Sequence, residues 1–353
     1  MNEKLDLKSL TFEELTSFIG QIGEKKFRAK QIFCWIYRGV RSIDEMTDIS
    51  KALREKLKES CFIESIEIEK KLVSKIDGTM KYLFRLSDGN LIESVFMRYK
   101  HGNTVCVSSQ VGCRMGCRFC ASTLGGLVRN LTAGEIIDQV MRVQEDAGEP
   151  VSNIVMMGIG EPLDNYENVL RFLKNVNHPD GLHIGYRHIS VSTCGLVDRI
   201  YDLAREGLPV TLSISLHAPF DELRSEIMPV NRKFSLKKLI PALQDYLAAT
   251  SRRISIEYTM IRGKNDTKQC ADELIRLFGG MLCHVNLIPV NNVAERSFQK
   301  SDSAAIRQFM EYLTKHGLNA TVRRELGSDI NAACGQLRKS TIEQEENRSD
   351  RGD

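Results

Sequence analysis

The spacing of apolar and polar positions changes period twice along the chain. From residue 9 to 62 the period is helical, with Phe27, Ile32, Phe33, Ile36 and Tyr37 recurring at helical spacing and Thr11-Phe-Glu-Glu14 reading as a capping box. Between 66 and 99 it drops to two. There Lys81–Leu86 alternates, Ser87-Asp-Gly-Asn90 makes a turn and Leu91–Met97 runs back, which predicts hairpins and puts Glu93 on a returning strand. From about 104 onward, short apolar runs at 105–108, 154–157, 189–192, 211–216, 254–260 and 285–289 alternate with helical stretches. Those stretches lie near 133–147, 165–176, 197–206, 235–249, 268–278 and 302–316. Such alternation specifies a parallel sheet covered by helices. No glycine fingerprint follows the first strand, so an α/β barrel-like closure is expected rather than an open nucleotide-binding sheet. The organisation read from the pattern is a helical accessory domain (1–65), a β-hairpin linking segment (66–103), a barrel with a cysteine-bearing C-terminal loop (104–338) and a polar tail (339–353), expected to be disordered.

Composition narrows the class. Hydrophobic residues at 42% and charged residues at 27% are ordinary for a globular enzyme, and no apolar run approaches the length of a membrane span. The first eight residues include acids and no apolar core, so no signal peptide is expected, and the protein is expected in the cytoplasm. Ten cysteines there read as reduced thiols, ligands or reagents rather than a disulfide framework. A net charge of +3 permits RNA binding without arguing for it. Lys25, Lys26, Arg28 and Lys30 form a cationic stretch that suits either a solvated helix surface or a grip on a polyanion.

The chemistry is concentrated in Cys113, Cys117 and Cys120, spaced C-x3-C-x2-C. A structural zinc or an electron-transfer cluster takes four protein ligands, whereas three leave a position open for a small molecule. A zinc site completed by Cys106 is the alternative. In α/β barrels the reactive groups sit at the C-terminal ends of the strands. Gly160 and Glu161 follow the second strand, where glycine allows close backbone approach and the carboxylate can accept from an ammonium group. Ser192 ends the third, Ser215, Leu216 and His217 the fourth, and Asn291 follows the sixth. Cys334 lies between small residues near Gly327 and Gly335, a setting suited to a thiol that more than one partner must reach.

The cysteine triplet resembles the radical S-adenosylmethionine (SAM) superfamily. Together with Phe27–Ile32, Val105–Cys113, Gly160-Glu-Pro162, Ser215–Ala218, Asn286–Pro289 and Ile330–Leu337, the chain resembles the radical-SAM 23S rRNA adenine carbon-2 methyltransferases, which also modify a tRNA anticodon-loop adenine. The resemblance implies a partial (β/α)6 TIM-like radical-SAM barrel, a [4Fe-4S] cluster on Cys113, Cys117 and Cys120, and SAM held by Gly160, Glu161, Ser192, Ser215, Leu216, His217 and Asn291. It also implies that Cys334 takes a methyl group from one SAM, that a radical from a second SAM removes a hydrogen from it, and that the methylene radical adds to adenine. Glu93 or Cys106 then takes the ring proton, and a Cys106–Cys334 disulfide frees the product. A reductant such as flavodoxin or ferredoxin would feed the cluster, and a thiol reductant the disulfide; no membrane is involved. The sister family, which methylates carbon 8, shares both extra cysteines; Pro162-Leu163 after Glu161 favours carbon 2. A different radical-SAM enzyme, such as a glycyl-radical activase or a methylthiotransferase, and a non-enzymatic zinc or redox RNA-binding protein are the remaining alternatives.

Overall fold

The computed structural model describes residues 4–290 and 298–330. A short strand β1 (Leu5–Asp6) leads into helices α1 (Phe12–Gln21), α2 (Phe27–Tyr37) and α3 (Lys51–Ser60), and β2 (Cys61–Phe62) pairs parallel with β1. Thr11 caps α1 as expected: its hydroxyl accepts from the Glu14 amide and the Glu14 carboxylate accepts from the Thr11 amide. Leu15, Ile19, Ile32, Phe33, Ile36, Leu53 and Leu57 make a core of their own. Phe27 departs from the helical reading. It stands at the first position of α2 and is 54% exposed, because at 100° per residue it falls on the side of the helix opposite Ala29, Ile32, Phe33 and Ile36, which are buried.

Strands β3 (Glu67–Val73), β4 (Met80–Arg85) and β5 (Leu91–Tyr99) form an antiparallel meander that β6 (Gly102–Cys106) extends. A small hairpin, β7 (Gln110–Gly112) with β8 (Leu127–Asn130), follows, then α4 (Ala133–Ala147). Thereafter strand and helix alternate: β9 (Asn153–Met156), α5 (Tyr166–Asn177), β10 (Ile189–Thr193), α6 (Val197–Glu206), β11 (Thr211–Ser215), α7 (Asp221–Ile227) and α8 (Leu236–Thr250). The series ends with β12 (Ile254–Met260), α9 (Lys268–Phe278), β13 (Cys283–Pro289), α10 (Ser303–Lys315) and β14 (Ala320–Val322). The parallel strands run β6-β9-β10-β11-β12-β13-β14 in chain order, so the sheet has no reversal point of the kind that defines a doubly wound nucleotide-binding fold. The sequence pattern missed β14, whose three residues are too few to show a period, and also the β7–β8 hairpin.

Register explains why the barrel has a polar lumen. Val191, Leu212, Ile214, Ile254, Ile256 and Val285 lie in the main apolar core. Their alternates, Ser190, Ser192, Ser213, Ser215, Ser255, Glu257 and Asn286, therefore line the opposite, inward face. Branched apolar layers usually fill such an interior; here it suits a polar ligand.

A buried polar joint ties the N-terminal segment to the barrel. The Lys8 ammonium, 1% exposed, bonds Asp138 Oδ1 at 2.6 Å and the Glu64 carbonyl, while Asp138 Oδ2 accepts from the Ile66 amide at 2.8 Å. Burial, with Glu135 and Asp6 nearby, pushes the Glu64 carboxyl up to about 7. Folding therefore takes up a proton at this group between its unfolded value of 4.5 and about 7, so its contribution is greatest below 4.5 and is lost as pH rises through 7. Glu64→Gln is expected to flatten the fall in melting midpoint between about pH 5 and 8; circular-dichroism melts across that range check it.

Candidate active site

The three cysteines sit on a tongue whose root is the β7–β8 hairpin. At that root the Cys113 amide donates to Gly126 O at 2.8 Å. Gly112, at φ +78°, comes so close to the other strand that a Cβ would lie 2.0 Å from Gly126 O. Within the tongue the Thr123 hydroxyl bonds the carbonyls of Cys117 and Cys120, at 3.2 and 3.0 Å, and the Arg118 amide donates to Ile227 O at 2.9 Å. Cys117, Cys194, Ala218, Ile227, Met228 and Ile261 form an apolar shell around it. Such a shell lowers the local dielectric and limits water at a cluster. Burial pushes the Cys113 thiol up to about 12 and Cys117 higher still, so ligation there has to displace protons.

Gly160 and Glu161 come to the tongue through Gln110. The Gln110 carboxamide accepts from the Glu161 amide at 2.8 Å and donates to Asn130 and Asp164 at 2.8 and 3.0 Å. Gly160 has φ +108°, and a Cβ there would meet Gln110 Cβ at 2.6 Å, so only glycine lets the two loops touch. The Glu161 carboxylate is 4% exposed and takes amide bonds from Leu163 (3.1 Å) and Cys194 (2.7 Å). Burial raises its pKa despite those bonds. An ammonium group beside it would restore the charged form.

Ser192 and Ser215 are half-buried on the lumen face, and Leu216 is fully buried behind them. His217 adopts φ +56°, an unusual conformation for a non-glycine residue. Its Nδ1 accepts from the Thr259 amide at 3.0 Å, which leaves the proton on Nε2, and burial, followed by the nearby Arg224, pushes its pKa down to about 3. Phe119 of the tongue packs edge-on against the ring, with centroids 4.7 Å apart. Asn291 lies outside the described residues.

Three buried groups that hold these loops were not found in the sequence. Arg224 is fully buried. Its guanidinium donates to Cys194 O (2.7 Å), Leu216 O (3.1 Å), Ser215 O (3.2 Å) and Asn231 Oδ1 (2.8 Å), clamping the ends of β10 and β11 together. Asn265 donates to His217 O at 2.7 Å and Thr259 O at 2.6 Å, and accepts from the Ile261 amide at 2.7 Å. Glu257 accepts from Ser255 and Asn286, each at 2.7 Å, on the lumen face. An acid inside the apolar run Ile254–Met260 was the signal for that last one.

Cys106 belongs to different surroundings. It ends β6 opposite Val95, and Glu93 stands two residues along the same face of β5, in a buried ion pair with Lys81 at 3.2 Å. Burial raises the Cys106 pKa; Arg323 and Lys81 act against this and Glu93 with it. The electrostatic neighbours of Cys117 are instead Cys120, Cys113 and Glu161. Cys106 is thus not grouped with the triplet as the fourth ligand of a zinc site would be. Among the described residues, no three His, Cys, Asp or Glu side chains converge closely enough to hold a single metal ion, and all nine cysteines are free thiols. Cys334 lies outside the described residues. Three thiols on one tongue, ringed by apolar side chains and faced by a buried carboxylate, fit a cubane cluster with SAM at its open corner.

Residues 107–277 match the radical SAM superfamily, and residues 5–63 match the ribosomal RNA large subunit methyltransferase N-terminal domain. Fold and tongue together define a radical-SAM enzyme, which uses a [4Fe-4S] cluster and SAM. The chain is 57% identical, over 97% of its length and 99% of the relative's, to the probable dual-specificity RNA methyltransferase RlmN of Alkaliphilus oremlandii. It is 53% identical to the Clostridium novyi protein of the same name, over 96% of this chain and 98% of that one. A crystal structure of a radical SAM methyltransferase from Sphaerobacter thermophilus matches with a TM-score of 0.88 at 44% identity, covering 94% of this chain and 98% of that chain. The chain belongs to the RlmN family of dual-specificity RNA methyltransferases.

Proposed function

We propose that the protein methylates carbon 2 of an adenine in 23S rRNA and in a tRNA anticodon loop, in the cytoplasm, with two SAM molecules per turnover. The observation that carries this reading is the separation of Cys106, with Glu93 and Arg323 beside it, from the cluster cysteines. A thiol that is not a ligand, on the inward face of β6, suits a reagent. Carbon 2 lies between two ring nitrogens and is too electron-poor to attack a sulfonium methyl, so a radical route is required. When bound and reduced, by a protein such as flavodoxin or ferredoxin, the cluster supplies the electron that splits SAM into methionine and an adenosyl radical.

The chain's own residues do the rest. The Cys334 thiolate displaces a methyl from the first SAM and becomes S-methylcysteine. Glu161 and the β10 and β11 strand ends, with Ser192, Ser215, Leu216 and His217, orient SAM, and Asn291 completes that set. After hydrogen abstraction the methylene carbon on Cys334 bonds carbon 2 of adenine. Glu93 is the proposed acceptor for the carbon-2 proton, which is lost once the adduct has given one electron back to the cluster. The Cys106 thiolate then attacks the Cys334 sulfur; the C–S bond breaks, the released carbon takes a proton to become methyl, and a disulfide remains for an external thiol to reduce. Peptide mass spectrometry of Cys334 after expression in cells tests the reading. A methyl group there, lost on anaerobic turnover with RNA, is expected; a thiol left unmodified with SAM and an intact cluster would overturn it.

The target adenine must leave its stack before it can enter the lumen, at a cost of a few kcal/mol. The N-terminal helices offer the grip. Lys25, Lys26, Phe27 and Lys30 are exposed, the Arg28 guanidinium stacks 4.8 Å from the Phe27 centroid, and a groove of about 650 Å³ runs between Phe12, Lys26, Phe27, Lys30 and Arg38. Cations around an open aromatic face suit unpaired RNA. A Lys25/Lys26/Arg28 triple alanine variant is expected to lose RNA affinity, with a log–log salt slope shallower by about 2. SAM cleavage should be unchanged. Filter binding at several salt concentrations checks this, and unchanged affinity would count against it.

A further inference from the structure

The β3–β4 turn is joined to the chain just before Cys334. Ser74 Oγ donates to Asp329 Oδ1 at 2.6 Å, and the Lys75 amide donates to Asp329 Oδ2 at 2.8 Å. In the other direction, the Gly327 amide donates to Asp77 Oδ2 at 2.9 Å, while Asp77 Oδ1 takes the Thr79 amide, also at 2.9 Å. The contact is reciprocal, one carboxylate from each side, and it joins segments at least 250 residues apart in sequence. Burial opposes ionisation of Asp77, but the amide bonds, led by that of Gly327, hold it down to about 2; the Ser74 hydroxyl likewise lowers Asp329. Apolar packing does not explain the joint, since Ser328 and Asp329 are exposed and Ile76 at the turn is 70% exposed.

We propose that the 74–79 turn anchors the loop that carries Cys334, which makes Asp77 and Asp329 positioning residues for the methyl-bearing thiol. The inference rests on the role of Cys334 given above. Its physical content is a tether length. From Asp329, the last residue the joint holds, to Cys334 is five residues, which can reach at most about 18 Å. Without the joint, the next backbone anchor is the Arg323 amide on Leu287 O at 2.8 Å, eleven residues before Cys334. The intervening Lys300–Glu325 pair is exposed on both sides and holds little. Effective concentration falls as the −3/2 power of tether length or more steeply, so lengthening from five to eleven residues dilutes the thiol at the cluster by about 3-fold, and by about 10-fold if the accessible volume scales as the cube.

The test uses full-length, cluster-loaded Asp77→Ala/Asp329→Ala enzyme and reads methylated RNA formed per 5′-deoxyadenosine released. That ratio is expected to fall about 3- to 10-fold, while SAM cleavage without RNA stays within about two-fold of wild type. Asp329→Asn, which keeps an acceptor for the Lys75 amide, should recover part of the coupling. A double variant with wild-type coupling overturns the proposal. A wild-type enzyme whose Cys334 is never methylated instead overturns the reading it rests on, and the same mass spectra reveal this. If the double variant does not fold, hydrogen exchange on wild-type enzyme decides: slow Lys75 and Gly327 amides support the joint, and amides exchanging as fast as exposed peptide overturn it.

Discussion

Cys106→Ala enzyme expressed in cells is expected to be isolated with RNA covalently attached at Cys334. In the proposed mechanism the adduct forms without any contribution from Cys106, because the carbon–carbon bond to adenine comes from the methylene on the other sulfur, and only the release step requires a second thiol. Cys106 is buried at the end of β6, and Arg323, next to it, lies on the segment that leads to Cys334. No other described cysteine ends a strand beside that segment, so no substitute sulfur stands ready to resolve the adduct. Denaturing electrophoresis before and after nuclease treatment reads the outcome. A shifted band that collapses on nuclease digestion is expected, with multiple turnover reduced below detection. Free Cys106→Ala protein turning over at the wild-type rate would remove the disulfide step from the mechanism.

Arg224→Met is expected to cost about 3 kcal/mol of stability, since it removes a fully buried guanidinium and leaves the Cys194 carbonyl without that donor, while Leu216 O keeps the Ala218 amide. The damage should reach the SAM site, because the released carbonyls belong to Cys194, Ser215 and Leu216 at the ends of β10 and β11. SAM affinity is expected to weaken by at least about ten-fold. Arg224→Lys should rescue little: one ammonium cannot reproduce a planar fork that serves two strands at once. Thermal melts and calorimetric titration with SAM check both parts, and wild-type SAM affinity in Arg224→Met would show that the clamp does not reach the ligand.

Much of this architecture was legible in the sequence, and the reason is periodicity. Strands packed under helices must be apolar in short runs, so β9 to β13 announced themselves, and α4, α6 and α9 begin and end within a residue of where their patterns do. The cysteine tongue was legible because three ligands to one cluster have to be close in sequence if a single loop is to carry them. What escaped notice depends on contacts between distant residues. The Arg224 clamp joins residues 30 apart, and Asn265 reaches back 48 residues to His217. In the sequence Arg224 is an ordinary polar residue within a helix, and Asn265 one in the turn between β12 and α9. Phe27 misled for a simpler reason: it is apolar and lies in the helix, but at 100° per residue it stands opposite the face that Ile32, Phe33 and Ile36 bury. The Lys81–Glu93 pair was hidden because a lysine in an alternating strand normally points to water.

The tongue has a consequence for how the enzyme is made. Its root is closed by the β7–β8 pairing and by the Cys113–Gly126 bond, and its tip leans on Ile227 and His217. None of these contacts involves iron. Zinc fingers need their metal to fold at all, whereas here the chain can complete its topology first and receive the cluster afterwards. Folding and metallation are then expected to be separable events.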